Sequence, residues 1–145
     1  MLLSIDLLRS GMNVLKFGGV DPGMFPRPIR VQGDADALER LFLIFLENAV
    51  KYTPFGGHVD VRLRSENSAA IAEVRDSGIG IAATDIPHIF ERFYQADPSR
   101  SRENGGRGLG LAIGRWIAQA HGGDISVESK VGEGSSFQIR LPLSY

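Results

Sequence analysis

The sequence predicts an α/β (α+β) two-layer sandwich: a mixed, mostly antiparallel sheet covered by helices on one face. Three observations carry this expectation. Residues 35–52 and 109–121 have helical composition and clear end signals. Residues 59–64 and 69–75 alternate or run apolar around a tight turn, as a hairpin does. Residues 125–128 and 137–141 repeat that arrangement around a glycine turn, so strands pair with their sequence neighbours.

Taken in order, residues 1–16 are apolar in a mixed pattern that suits a short helix or a strand. Residues 17–28 are rich in glycine and proline and read as an irregular connector. Segment 1–27 is therefore expected to be a connector or the remnant of an upstream region, with the domain proper at 28–145. Residues 29–32 alternate like a short strand that Gly33 and Asp34 end. Asp34 or Asp36 then caps a helix over 35–52, rich in Leu, Phe and Ala and closed by Pro54. Gly56 and Gly57 turn the chain into the first hairpin, whose own turn falls at 66–68. Residues 76–81 form a glycine turn, 84–93 a short helix, and the polar stretch 95–107, with Pro98, Asn104, Gly105 and Gly106, a mobile loop. The helix over 109–121 stops at Gly122 and Gly123, and the last two strands turn at 132–134.

Bulk properties narrow the function. The chain has 145 residues, 43% of them hydrophobic and 23% charged, which suits one domain with one core. The net charge of -1 gives no field favouring nucleic acid or an anionic membrane. There is no cysteine, which excludes disulfides, thiol catalysis and cysteine–zinc sites. The apolar run 41–46 is too short to span a bilayer, and the first residues lack the basic start of a signal peptide. A cytoplasmic domain is expected, cut from a parent that is an inner-membrane protein in one version of this reading.

Three segments carry candidate chemistry. Asn48 is a polar amide in an apolar helix, and Ile44, Asn48, Lys51 and Tyr52 share one helical face. An Asn and a Lys on one face supply a metal or phosphate ligand and a cation; a solvent-facing polar stripe has the same pattern. Asp76, Ser77, Gly78, Ile79, Gly80 and Ile81 follow a strand. Asp76 there is placed to accept from an exocyclic amine such as that of adenine, or merely to cap a turn. Gly105, Gly106, Arg107, Gly108, Leu109, Gly110 and Leu111 open a helix, and a glycine-rich helix start binds anions through free N–H groups. This is neither the Walker loop, because no G-K-[ST] ends it, nor the dinucleotide fingerprint, because no βαβ unit surrounds it. Phe90 and Phe93, just before the loop, read as core anchors beside a lid. Arg100, Arg102 and Arg107 are within that loop's reach of phosphate.

The order of these segments is more specific than any one. Residues 46–54 (LENAVKYTP), 76–81 (DSGIGI), 89–93 (IFERF), 106–113 (GRGLGLAI) and 132–137 (GEGSSF) together resemble the ATP-binding catalytic domain of bacterial sensor histidine kinases, within the gyrase, chaperone, histidine kinase and mismatch-repair ATPase superfamily. The resemblance implies an α/β sandwich with a flexible ATP lid. It implies ATP and Mg²⁺ as ligands, with Asp76 reading the adenine amine and Gly78, Gly80 and Ile81 lining the nucleotide. Asn48 would hold Mg²⁺ and, with Lys51, act in catalysis at the phosphates; Tyr52 would pack by the base or ribose. Arg107, Gly108, Leu109, Gly110 and Leu111, with Gly106, would border the phosphates. The implied partners are the parent's helical dimerisation and phosphoacceptor domain and a response regulator.

Three departures from the family pattern stand out. Ile44 occupies the position where many members carry a second Asn, and where gyrase-type and chaperone ATPases carry a catalytic Glu. Glu47 points about 100° around the helix from Asn48. Arg107 replaces a small residue. None of His58, His88 and His121 has the acidic-Arg-Thr-Pro context of the family's acceptor histidine. The expected activity is therefore donation of the γ-phosphoryl group to a histidine on another domain. The alternatives are a non-catalytic nucleotide-binding regulatory module, which Ile44 motivates, a self-contained ATPase, and an anti-sigma-type serine kinase.

Overall fold

The computed structural model describes residues 2–7, 13–16, 29, 31–95 and 108–143. Helix α1 (Ala35–Tyr52) starts where the sequence places it: the Asp34 carboxylate accepts the Ala37 N–H at 2.8 Å, satisfying one of the helix's free donors. It ends at Thr53, whose hydroxyl donates to the Ala49 carbonyl at 2.6 Å, one residue before Pro54. Leu41, Phe45 and Ala49, spaced by four, form its buried stripe.

The sheet has the order β2-β1-β3-β4-β6-β5, made of β1 (Leu2–Leu7), β2 (Asn13–Lys16), β3 (His58–Glu66), β4 (Ala69–Asp76), β5 (Asp124–Lys130) and β6 (Gly134–Pro142). Every neighbouring pair is antiparallel, so the mixed sheet allowed by the sequence is antiparallel throughout the described strands. The β3–β4 hairpin closes through Asn67 and Ser68, both at positive φ (47° and 62°), the geometry that matches strand twist.

Within residues 1–16, where the sequence left helix and strand open, 2–7 and 13–16 are strands, β1 beside β3 and β2 beside β1. Other expectations need correcting. Ile29, Val31 and Gln32 form no strand: the edge of β3 not paired with β4 is taken by β1. Val31 packs against the core instead. Residues 84–93 are not an α-helix but a single 3₁₀ turn, Ile86–His88, with Pro87 inside it. Pro87 lacks a donor N–H, and Phe93 sits at φ 63°, which no helix continues through. The loop expected at 95–107 lies outside the described residues from 96 onward.

Helix α2 (Gly110–Ala120) lies along α1, and both helices pack on the same core as the sheet. Gly114 makes the helix–helix approach close: a Cβ there would stand 2.7 Å from Phe45 Cε2. Phe45 in turn meets Phe137 of β6 at 5.2 Å between ring centroids. His121 ties the far ends of the helices together. Its Nδ1 lies 2.8 Å from the Ile117 carbonyl and must donate, while Nε2 accepts the Asp34 N–H at 3.1 Å. Among the described residues no helix is long and apolar enough to cross a membrane.

Candidate functional site

Asp76 is the last residue of β4, and the β4–β6 register sets it directly beside Ser135. It is 5% exposed. A buried carboxylate needs partners, and Asp76 Oδ1 accepts the Gly78 N–H at 2.9 Å and the Ser135 N–H at 3.3 Å. Burial pushes the carboxyl's pKa above its ordinary value, and the two N–H groups only partly pull it back.

The turn after Asp76 is fastened on both sides. The Ile79 N–H donates to the Tyr52 carbonyl at the end of α1, and the Ile79 carbonyl accepts the Gly132 N–H at 2.9 Å. Gly80 sits at φ +73°, and a Cβ there would fall 2.1 Å from the Lys130 carbonyl oxygen, so only glycine lets these two turns meet. The Ile81 N–H donates to Ser129 Oγ at 2.7 Å, and Ser129 Oγ stands 2.7 Å from Ser135 Oγ.

These ties shape an open cleft between the end of α1, the start of α2 and the Asp76 turn. Of the residues expected at the site, it brings Asn48, Tyr52, Asp76, Gly80, Ile81 and Leu111 into one wall. Ile79, Ile89, Tyr94 and Ser135 complete that wall and were not singled out as site residues in the sequence. For Ser135 a signal existed, since it belongs to the GEGSSF box. For Tyr94 there was only its place after the aromatic cluster.

The remaining expected residues stand elsewhere. Lys51 holds its ammonium 5.3 Å over the Tyr52 ring, and Gly78 is buried against the Tyr52 carbonyl. Gly108 packs on the backbone of Phe93 and Tyr94, while Leu109 lines a separate groove with Arg92, Phe93, Ile113 and Trp116. Gly110 begins α2, where a Cβ would meet only Ile44 Cγ2, at an ordinary 3.7 Å. Arg100, Arg102, Gly106 and Arg107 lie outside the described residues. Phe90 packs edge-on to Phe137, as a core anchor should; Phe93, expected to do the same, is 70% exposed because its positive φ turns it out of the core. Ile44 is half-buried and packs toward Gly110 and Gly114 of α2. Glu47 is exposed.

Chemically the cleft combines apolar side chains and two tyrosines with one buried carboxylate, a slot for a flat heterocycle bearing an N–H donor. Among the described residues no side chain caps the N-terminus of helix α2, which opens on Leu109; a helix start of this kind suits an anion. Among the described residues no group of three or more His, Cys, Asp or Glu is placed to hold a metal ion.

Comparison with known proteins identifies the family. Residues 33–145 match the family of histidine kinase-, DNA gyrase B- and HSP90-like ATPases. The chain is 49% identical over 111 residues to the sensor histidine kinase RppB of Synechocystis sp., covering 77% of this chain and 24% of RppB. It is 40% identical over 119 residues to the signal transduction histidine-protein kinase ArlS of Staphylococcus aureus, covering 82% of this chain and 26% of ArlS. The chain thus spans about a quarter of the length of these relatives. Among solved structures it superposes on the mycobacterial sensor histidine kinase MprB with a TM-score of 0.70 and 36% identity, over 80% of this chain and 76% of that one. Full-length ShkA in complex with AMPPNP gives 0.69 and 30%, over 81% of this chain and 24% of that one. The chain belongs to the histidine kinase-, DNA gyrase B- and HSP90-like ATPases, and within them to the ATP-binding catalytic domains of sensor histidine kinases.

Proposed function

We propose that the cleft binds Mg²⁺–ATP and that the domain donates the γ-phosphoryl group to a histidine on a separate helical dimerisation domain of a parent kinase, from which a response regulator then takes it. The observation that carries this reading is the buried Asp76 carboxylate at the end of an apolar slot. Oδ1 is engaged by the Gly78 and Ser135 N–H groups, and the carboxylate is left to accept the amine of adenine. Gly78 acts through Asp76, and Gly80 and Ile81 shape the wall. Tyr52 packs against the base or ribose.

The phosphates would extend from this slot toward the start of α2, where Gly108, Gly110 and Leu111 would border them; the family resemblance adds Arg107 and Leu109 to that set. Asn48 would supply an amide oxygen to the metal. With no acidic cluster among the described residues, the metal would be held by Asn48 together with phosphate oxygens and water, the usual habit of Mg²⁺. Lys51 ends α1 beside Tyr52 and offers its charge to the phosphates. In the transfer, a phosphorus–nitrogen bond forms on the acceptor imidazole, the bond to the β-phosphate oxygen breaks, and ADP leaves. The protein's part is positioning and charge stabilisation.

His121 is engaged at both ring nitrogens, His88 pairs with Glu91 at 2.9 Å, and His58 begins a strand next to Asp60. Incubating the chain with ATP, Mg²⁺ and the parent's separately produced helical domain should yield acid-labile, base-stable phosphate on that domain. Absence of label, with the intact parent as positive control, overturns the kinase assignment. One observation favours a second reading, a regulatory module that binds nucleotide without transfer: Ile44 puts a hydrocarbon one turn before Asn48, where a second amide would serve the metal.

A further inference from the structure

We propose that His121 is a proton-operated clasp between the end of α2 and the start of α1. It is closed while the imidazole is neutral and opens when the ring takes up a proton.

The clasp consists of two bonds that demand opposite states of the two ring nitrogens. Nδ1 lies 2.8 Å from the Ile117 carbonyl, one turn back along α2, and a carbonyl only accepts. Nε2 lies 3.1 Å from the Asp34 nitrogen, 87 residues away in sequence, and a backbone N–H only donates. The neutral ring with its hydrogen on Nδ1 is the one form that satisfies both. In the imidazolium both nitrogens carry hydrogens. The Ile117 bond then survives, while Nε2 points a hydrogen at the Asp34 hydrogen. Protonation thus breaks the one contact of the ring that joins two elements. The fit around the ring is close: a Cβ on Gly33 would stand 2.3 Å from His121 Cδ2, so a larger residue there would push the ring off Asp34.

The surroundings let the ring keep a charge once the clasp has opened. His121 is the C-cap of α2, where the carbonyl end of a helix favours a cation. The hollow beside the ring is lined by Gln32, Gly33, Ala120, Pro142 and Leu143, none of them ionisable. The charged groups of the adjoining elements are Asp34 and Asp36 at the start of α1, Asp124 of β5 and Arg140 of β6. The Asp34 carboxylate accepts the Ala37 N–H, Asp124 pairs with Arg115 at 3.1 Å, and Asp36 and Arg140 are exposed. The clasp joins the helix ends opposite to those that wall the cleft, where the chain enters the region matching the family. Its opening frees the first turn of α1, while the other end of that helix keeps its bonds through Thr53 and through the Tyr52 carbonyl.

NMR of the 145-residue chain tests this directly. At about pH 8 the imidazole ¹⁵N resonances of His121 should place the hydrogen on Nδ1. Between about pH 8 and about pH 5, on either side of the range in which imidazoles titrate, the Asp34 amide should lose about tenfold of its protection against solvent exchange, corrected for intrinsic rates, the scale of one hydrogen bond. The Ile79 amide, bonded to the Tyr52 carbonyl, should keep its protection. His121→Gln keeps an acceptor oxygen and has no proton to gain, so its Asp34 protection should stay level. Asp34→Ser keeps a capping oxygen and the backbone N–H but removes the carboxylate, and the fall should persist. A hydrogen on Nε2 at the higher pH, an Asp34 protection that does not change, or an equal fall in His121→Gln overturns the proposal. So does a fall that vanishes in Asp34→Ser, which would make the carboxylate the responsive partner.

Discussion

Asp76 Oδ1 accepts the Gly78 N–H at 2.9 Å, so the side chain proposed to read the base also fastens the turn beside it. An Asn at this position keeps an acceptor oxygen for Gly78 and Ser135 but loses the charge and turns a donor toward the amine of the base. Asp76→Asn is therefore expected to keep the melting temperature and weaken ATP binding by about tenfold or more, the scale of a charge-assisted hydrogen bond. Calorimetry beside a thermal melt checks this; an unchanged dissociation constant refutes the adenine contact.

The same carboxylate sets a pH dependence. Its pKa is raised in the folded state by burial, so between the ordinary value of 3.8 and the raised value the native chain keeps a proton that the unfolded chain has lost. Stability from this group falls as pH rises through that window and is level above it. ATP affinity runs the other way, because the charged form is the better acceptor, and should decline as pH falls through the raised value. Asp76→Asn should flatten both profiles. Asp124 gives an opposite background: slight desolvation pushes its carboxyl up, but the Ile125 N–H and the Arg115 guanidinium outweigh that and hold it below the ordinary range. Its contribution is present above the unfolded value and lost in more acid solution, and it survives the Asp76 substitution.

Gly80 and Gly132 separate close packing from backbone strain. Both sit at positive φ, but a Cβ at Gly132 meets nothing within 4 Å, whereas one at Gly80 meets the Lys130 carbonyl at 2.1 Å. Gly132→Ala should cost about 1–2 kcal/mol from its conformation alone. Gly80→Ala should cost about 1–3 kcal/mol more, since backbone rather than a mobile side chain must shift. Urea unfolding measures both. Equal losses would mean that the Gly80 turn relaxes freely away from Lys130.

How far the fold could be read beforehand follows from the range of each interaction. Helix α1 was legible to its ends because Asp34 and Pro54 act within one turn of it. The hairpins were legible because alternation and turn residues are local. The fate of residues 29–32 was not, since it depends on β1 occupying the edge of β3 from a segment whose pattern suited either helix or strand. At the site, Asn48, Tyr52 and Asp76 each lie in a recognisable short segment, and the fold brings them together. Ser135 is brought to Asp76 across 59 residues by strand register, and Tyr94 is brought in by a reversed φ at Phe93. The GEGSSF segment marks Ser135, but no local pattern encodes its register beside Asp76 or the reversal that brings in Tyr94.

Gly114 tests the seam between α1 and α2. Its missing Cβ leaves room for Phe45, which would otherwise stand 2.7 Å away. Gly114→Ala removes a poor helix former, a gain of about 1 kcal/mol, but overpacks the α1–α2 contact at a cost of about 1–3 kcal/mol. Net destabilisation is expected, and Phe45→Leu in the same chain should relieve it. A stabilised Gly114→Ala would show that Phe45 moves aside without penalty.

Ile44 decides between the two functional readings. It is half-buried on α1, one turn before Asn48, with Cγ2 3.6 Å from a Cβ at Gly114 and 3.7 Å from one at Gly110. Its hydrocarbon therefore seals the helix seam beside the proposed metal site. Ile44→Asn should lower stability by about 1–3 kcal/mol, because an amide replaces packed apolar surface. It should also tighten ATP binding by about threefold in Mg²⁺ but not in EDTA, since a second neutral oxygen then faces the ion. If the domain is a kinase, the original chain already transfers phosphate, and the variant changes only the Mg²⁺ concentration at which it does so. If the regulatory reading holds, the original chain transfers none and the variant gains transfer. An affinity with no Mg²⁺-dependent gain would assign Ile44 to the helix seam alone and leave Asn48 as the metal's only amide ligand from α1.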